Sequence, residues 1–180
     1  VAAGIGIDAK EGAVYIAEFY GKIVEKFTLD GKFIAKVGSS GRAFSGALHY
    51  PTDVFVDPKG NVFVADAYNN RIQKFDKNGG FVAKWGGPLG LGLPGKWGGW
   101  FKVPSGVALD GDGKIYVADS ANQRVVAMSP EGKFLAEWKV KLDSLLFSPT
   151  RVAAGKNGTV YAADTARNRI VALKYSQRKN

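Results

Sequence analysis

The sequence contains no cysteine and only one histidine, His49, in 180 residues. Without thiols there is no disulfide framework, no thiolate zinc site and no cysteine nucleophile. One imidazole is too few for a histidine-rich zinc site, and a Ser-His-Asp triad would have no alternative base. His49 stands in a linker beside Tyr50-Pro51 and reads as a loop residue. No apolar run approaches the ~20 residues that cross a bilayer as a helix. The opening VAAGIGID has no charged stretch ahead of an apolar one, so it reads as a mature or excerpted segment without a signal peptide.

What is present is enough for a folded domain, because a chain of this length buries a full core without staples. No cofactor and no metal are expected. The formal net charge is +9 and lies unevenly along the chain. Residues 149–180 carry seven basic groups against Asp164 alone, which is two thirds of that excess. Such an end either forms a solvated face with a frayed tail or attracts phosphate or acidic protein surface.

The dominant feature is repetition. PTDVFVDPKGNVFVADAYNNRIQKFDKNGGFVAKWG (51–86) aligns without a gap to PSGVALDGDGKIYVADSANQRVVAMSPEGKFLAEWK (104–139). A third copy, SPTRVAAGKNGTVYAADTARNRIVALKY, starts at 148, and the most divergent copy occupies 4–38. A period of about 50 residues suits a propeller blade and is too long for most helical repeats. Each copy reads as short strands between turns: DVFVD, VFVAD, RIQKF and FVAKW, separated by PKGN, AYNN and DKNGG. No helical stripe runs between turn signals, so helix content should be near zero. A four-stranded meander cannot bury both faces alone, whereas copies stacked radially can. The expected fold is therefore all-β, a β-propeller with four blades in this chain.

The motif order of Pro, a GVALD-like strand, a Gly turn, YVAD, an Asn-containing turn, RI or RV, an aromatic, a Gly turn and a strand ending in WG resembles the NHL repeat. The resemblance covers essentially the whole chain and implies a single propeller region over 1–180. Blades are expected at about 1–38, 48–86, 101–139 and 148–175, with a basic tail at 176–180. GSSGRAFSGALHYP (38–51) and GGPLGLGLPGKWGGWFKVP (86–104) are similar to Gly-rich crossovers between NHL blades. NHL propellers usually have six blades, so four imply a part of a larger propeller completed by further blades or another chain. A compact four-bladed ring is the rival expectation.

In three copies an aspartate is followed five residues later by an arginine: Asp66 and Arg71, Asp119 and Arg124, Asp164 and Arg169. A reactive centre would occur once, so a repeated pair reads as a structural staple at the hairpin of each blade. The first copy has Glu18 and Ile23 there and should lack the pair. GLGLPGK (90–96) mimics phosphate-binding loops, but Trp97 replaces the Ser or Thr and no helix follows, so it reads as crossover. DGDG (110–113) lacks the later ligands of a calcium loop and reads as a turn. Asn157-Gly158-Thr159 is a formal glycosylation sequon and equally a hairpin turn.

Candidate partner-contact residues are the crossover aromatics Trp97, Trp100 and Phe101 and the basic groups Arg151, Arg167, Lys174, Arg178 and Lys179. The aromatics alternatively cap the seam between blades. Leu142, Leu145, Leu146 and Phe147 are expected to be buried at the last seam. The resemblance implies a non-catalytic module that presents its loops to other proteins within an assembly. Single-stranded RNA binding is the alternative it offers, although no platform of aromatics among Arg and Lys is legible along the chain. A lyase or lactonase-like propeller enzyme is the third reading, for which His49 alone supplies no zinc site. The resemblance favours a periplasmic or secreted location over the cytoplasm and implies no membrane insertion.

Overall fold

The computed structural model describes residues 1–42, 44–139 and 147–174. Four antiparallel sheets follow one another along the chain as the blades of a β-propeller. The first holds β1 (Ala2–Asp8), β2 (Ala13–Glu18), β3 (Ile23–Thr28) and β4 (Phe33–Val37). A short parallel pair, β5 (Ser39–Ser40) and β6 (Ala47–Leu48), lies in the first crossover. The second blade is β7 (Pro51–Val56), β8 (Val62–Asp66), β9 (Arg71–Phe75) and β10 (Phe81–Trp85). The third is β11 (Pro104–Leu109), β12 (Ile115–Asp119), β13 (Arg124–Met128) and β14 (Phe134–Trp138). The fourth has three described strands, β15 (Pro149–Ala154), β16 (Thr159–Asp164) and β17 (Arg169–Lys174).

The turns follow from their side chains. At the β7–β8 hairpin Asp57 Oδ1 accepts the Lys59 and Asn61 amides at 2.8 and 2.9 Å, closing the turn without help from another segment. Asp110 does the same at β11–β12 with the amides of Asp112 and Lys114 at 3.0 and 2.9 Å, so DGDG is a turn. The β8–β9 connection is one 3₁₀ turn ended by Asn70 in the left-handed region at φ 50°, and Gln123 and Asn168 repeat this at 57° and 50°.

Strand alternation gives every blade two apolar faces, and packing them makes the core. The first seam sets Tyr15, Val24 and Val37 against Val54, Val56, Val62 and Val64. The second joins Phe63, Ala65 and Ile72 to Val107, Ile115, Val117 and Val126. The third joins Ala108, Tyr116 and Val125 to Val152, Val160 and Ala162. Each fully buried Ile, Val or aromatic in these seams is worth about 1.5–3 kcal/mol. Near the axis the innermost strands touch closely: a Cβ on Gly4 would lie 2.6 Å from Asp53 Cα. At the periphery the Trp85 indole donates to the Glu131 carbonyl at 3.0 Å, and Trp138 repeats this toward Lys174 at 3.2 Å. The tryptophans at these strand ends thus tie the second blade to the third and the third to the fourth.

The propeller is open between its first and fourth blades. Tyr161 and Ile170 of the last blade are 45% and 66% exposed, whereas their repeat equivalents Tyr116 and Val125 are fully buried. Ile5 and Ile7 of the first blade are 64% and 57% exposed, against 3% and 8% for Val54 and Val56. A compact ring would bury these side chains on one another, so the rival expectation is corrected. Residues 140–146 and 175–180, which hold Leu142, Leu145, Leu146, Arg178, Lys179 and the tail, lie outside the described residues. Phe147 is buried in the third seam.

Gly132 supplies a test of the outer tie. It has φ 86°, and a Cβ there would fall 1.8 Å from Trp85 Nε1. Gly132→Ala should destabilise by about 2 kcal/mol in urea unfolding. The penalty should shrink in a Trp85→Ala background, because the ring that would clash is gone.

Candidate functional site

The Asp–Arg pairs sit where each crossover enters its blade. Arg71 Nε donates to Asp66 Oδ2 at 2.8 Å with both side chains fully buried. The arginine reaches further than its own hairpin: Nη2 donates to the Phe44 and Ala47 carbonyls of the incoming crossover at 2.8 and 2.6 Å. Asp66 also accepts the His49 amide at 2.7 Å and the side-chain amides of Asn69 and Gln73 at 2.8 and 2.9 Å. Arg124 bonds Asp119 at 2.7 Å and the Lys96 and Trp97 carbonyls at 2.7 and 3.2 Å, with further bonds to Trp100 and Glu137. Burial pushes Asp66 and Asp119 above the ordinary aspartate value, while backbone amides, asparagine and guanidinium pull against it. In the fourth blade Arg169 Nε meets Asp164 at 3.0 Å, but its side chain is 33% exposed. There desolvation still raises the Asp164 carboxyl, yet the Ser148 amide, Arg169 and Arg167 outweigh it and hold the net value down. The first blade carries Glu18 opposite Ile23 in register and has no such pair.

Arg151 occupies the axis. Its guanidinium donates to the carbonyls of Ser105, Thr150 and Thr52 at 2.8, 2.8 and 3.1 Å and to that of Ala3, one from the innermost strand of each blade. Nε also lies 3.8 Å from Asp53 Oδ1, and Asp53 Oδ2 accepts the Val107 amide at 3.0 Å. Burial pushes the Asp53 carboxyl up to about 6, against the pull of Arg151 and the Val107 amide. Arg151 was expected to contact a partner; its guanidinium is held by four backbone carbonyls where its fork fits, and its side chain remains 42% exposed.

Other expected contact residues divide. Phe101 is corrected outright: it is fully buried in the second seam, where an apolar ring gains most. Trp100 is half-buried, and a Cβ on Gly95 would press within 2.5 Å of its ring. Trp97 alone of the three points outward, meeting Trp100 edge to face at 5.1 Å. Arg167 donates to Asp164 at 3.3 Å and is largely buried, whereas Lys174 is exposed on β17.

A cluster that the linear sequence concealed lies on the loop face over the first two blades. Phe19 and Tyr20 come from the β2–β3 turn, His49 and Tyr50 from the end of the first crossover, and Tyr68 from the β8–β9 turn. Tyr50 is at the centre, 4.8 Å from Phe19, 4.9 Å from Tyr68 and 4.6 Å from His49 between ring centroids. Lys22 Nζ sits 4.9 Å over Tyr50, and Arg42 Nε donates to His49 Nε2 at 3.4 Å. Burial first, then Arg42 and Lys22, lower the His49 value, so its ring is neutral near pH 7. The cluster sets aromatic rings beside Lys22 and Arg42 in tilted and edge-to-face contacts rather than as a stacking platform. The signal was the recurrence of Phe or Tyr at blade ends, in segments up to 49 positions apart.

These contacts set measurable energetics. Arg71→Ala and Arg124→Ala each strand a buried carboxylate and should cost about 3–5 kcal/mol in urea unfolding, with Arg169→Ala costing clearly less because solvent reaches it. Asp53 has a distinct pH signature. Its folded value of about 6 exceeds the unfolded 3.8, so the folded state binds the extra proton. Its contribution is fully present below the unfolded value and is lost as pH rises through the folded one, by about 3 kcal/mol at most. Asp53→Asn should remove this part of the stability change between those two values, measured by urea titration across pH.

Comparison with known proteins places the fold. The NHL repeat family model matches residues 48–75 and 101–128. No curated protein sequence matches the chain. Among solved structures, a nidogen/laminin complex is similar over 95% of this chain and 58% of that chain, at 18% identity and a TM-score of 0.70. A catalytically inactive virginiamycin B lyase from Staphylococcus aureus with quinupristin is similar over 98% and 56% respectively, at 17% identity and 0.65. A Bacteroides thetaiotaomicron protein of unknown function is similar over 94% and 46%, at 14% identity and 0.71. The chain spans about half the length of these structures, and at such identities the likeness concerns fold alone. The second and third of the four meandering blades thus match the NHL repeat, and the chain has an all-β propeller fold.

Proposed function

We propose that this chain is a non-catalytic interaction module, an arc of NHL blades whose open ends receive further blades or another chain. One observation carries the reading. Positions that fill seams inside the arc stand exposed at both of its ends: Ile5 and Ile7 on the first blade, Tyr161 and Ile170 on the fourth. Repeat equivalence makes the two ends complementary in kind, since the Tyr116 face of the third blade already packs on the fourth blade as the Tyr161 face would on a further one. Contiguous apolar surface of this sort marks an interaction site. The buried carboxylates Asp66 and Asp119 are engaged by amides and arginines, which suits scaffolding rather than proton transfer. That one structural neighbour is a nidogen/laminin complex supports a protein partner, while the lyase neighbour leaves fold-level analogy divided.

The test uses light scattering on the eluting protein over a concentration series. The chain should associate reversibly as concentration rises, and Ile5→Lys with Ile170→Lys should leave a folded monomer. A wild-type chain that stays monomeric and stably folded at every concentration would overturn the reading.

A further inference from the structure

We propose that the aromatic cluster over the first two blades is a docking site for an acidic, extended polypeptide segment. The proposal rests on the interaction reading in general but uses a different surface, the loop face rather than the open ends.

Three properties point there. Tyr20 and Tyr68 are 68% and 53% exposed, although each lies against the half-buried Tyr50. Tyrosines held rigidly by neighbours lose little entropy on binding and present an apolar body with a polar tip. Second, the charges facing the cluster are cationic. Lys22 lies over the Tyr50 ring and the exposed Arg42 touches His49. Glu18, the carboxylate at the start of the turn, lies in register between Ala2 and Ile23 within the first sheet. A carboxylate-bearing partner meets complementary potential here and a basic one does not.

Third, the ring geometry separates a peptide from a nucleic acid. Phe19–Tyr20, Phe19–Tyr68, Tyr20–Tyr50 and His49–Tyr68 meet at 86°, 80°, 87° and 86°, and the remaining pairs are tilted by 42° to 58°. None of these touching pairs is parallel, so the cluster offers edges, hydroxyls and notches rather than the tiers on which successive bases stack. Edges and notches suit proline rings, aliphatic stems and backbone carbonyls of an extended chain. The backbone holds the site in place. Tyr50 sits at φ 53° and Lys22 at 54°, and the Tyr68 amide donates to the His49 carbonyl at 3.1 Å. The His49 amide in turn bonds Asp66, which anchors the cluster to the blade staple.

Fluorescence anisotropy with three labelled ligands tests this: a peptide of alternating glutamate and proline, its lysine–proline counterpart, and an oligouridylate. The glutamate–proline peptide should bind saturably, the lysine–proline peptide should not, and Tyr68→Ala or Lys22→Ala should weaken binding about tenfold or more. Both residues lie at the surface, so circular dichroism of the variants should match the parent. Ile5→Lys with Ile170→Lys should leave peptide binding unchanged, so failure here is distinguishable from failure of end-to-end association. Absence of saturable binding, equal binding of the lysine peptide, or oligouridylate binding that depends on Tyr68 in place of the peptide would each overturn the proposal.

Discussion

The structure depends on a buried aspartate–arginine pair that is larger than it looks in the sequence. Removing both charges from water is expensive, and a pair alone seldom repays it. Here the rest is met by groups from three segments: the amide that enters the blade, the asparagine of the hairpin turn and the crossover carbonyls. Asp66 collects four donors and Arg71 spends its fork on the crossover around Phe44 and Ala47. The pair therefore fixes the direction from which the chain arrives at each blade that carries it. That direction places the innermost strand, and the innermost strand places the seam. Loop geometry is downstream of all three.

This explains why repetition was legible and reach was not. Spacing of Asp and Arg, alternation in the strands, and turns of Asn and Gly each leave a residue-type signature, so blades and their order follow from the sequence. The partners of the arginines are backbone carbonyls, which carry no signature. Arg151 shows the same limit. Its repeat equivalents are Gly4, Asp53 and Gly106, so nothing in the alignment marks it as the residue that spans the axis. Phe101 and Trp97 lie four positions apart in one Gly-rich stretch, yet one is buried and the other exposed. Only the path of the crossover separates them. The tyrosine cluster was hidden for a related reason, since three distant segments meet only once two blades are stacked.

The first blade departs from the pattern in a way that links scaffold and surface. Where the other blades place an aspartate–arginine pair, it has Glu18 and Ile23, and the turn between them carries Phe19, Tyr20 and Lys22. Ring contacts to Tyr50 and Tyr68 of the second blade take over the joining role there. A staple hidden in the interior has been exchanged for contacts that leave polar tips in solvent. Loss of internal regularity and gain of an exposed site occur at the same hairpin.

Charge reads differently once each group has an address. The last part of the chain looks basic by composition, yet Arg151 is bound by carbonyls at the axis and Arg167 and Arg169 share Asp164. Of the basic groups expected there to meet a partner, Lys174 is the one among the described residues that faces solvent without an assigned bond. A field that steers an anion needs charges that face solvent on one side. Lys22 and Arg42 meet that condition beside the tyrosines, although the segments holding them looked unremarkable in composition. Position relative to the blade decides what a cation does, and that position is set by the staples.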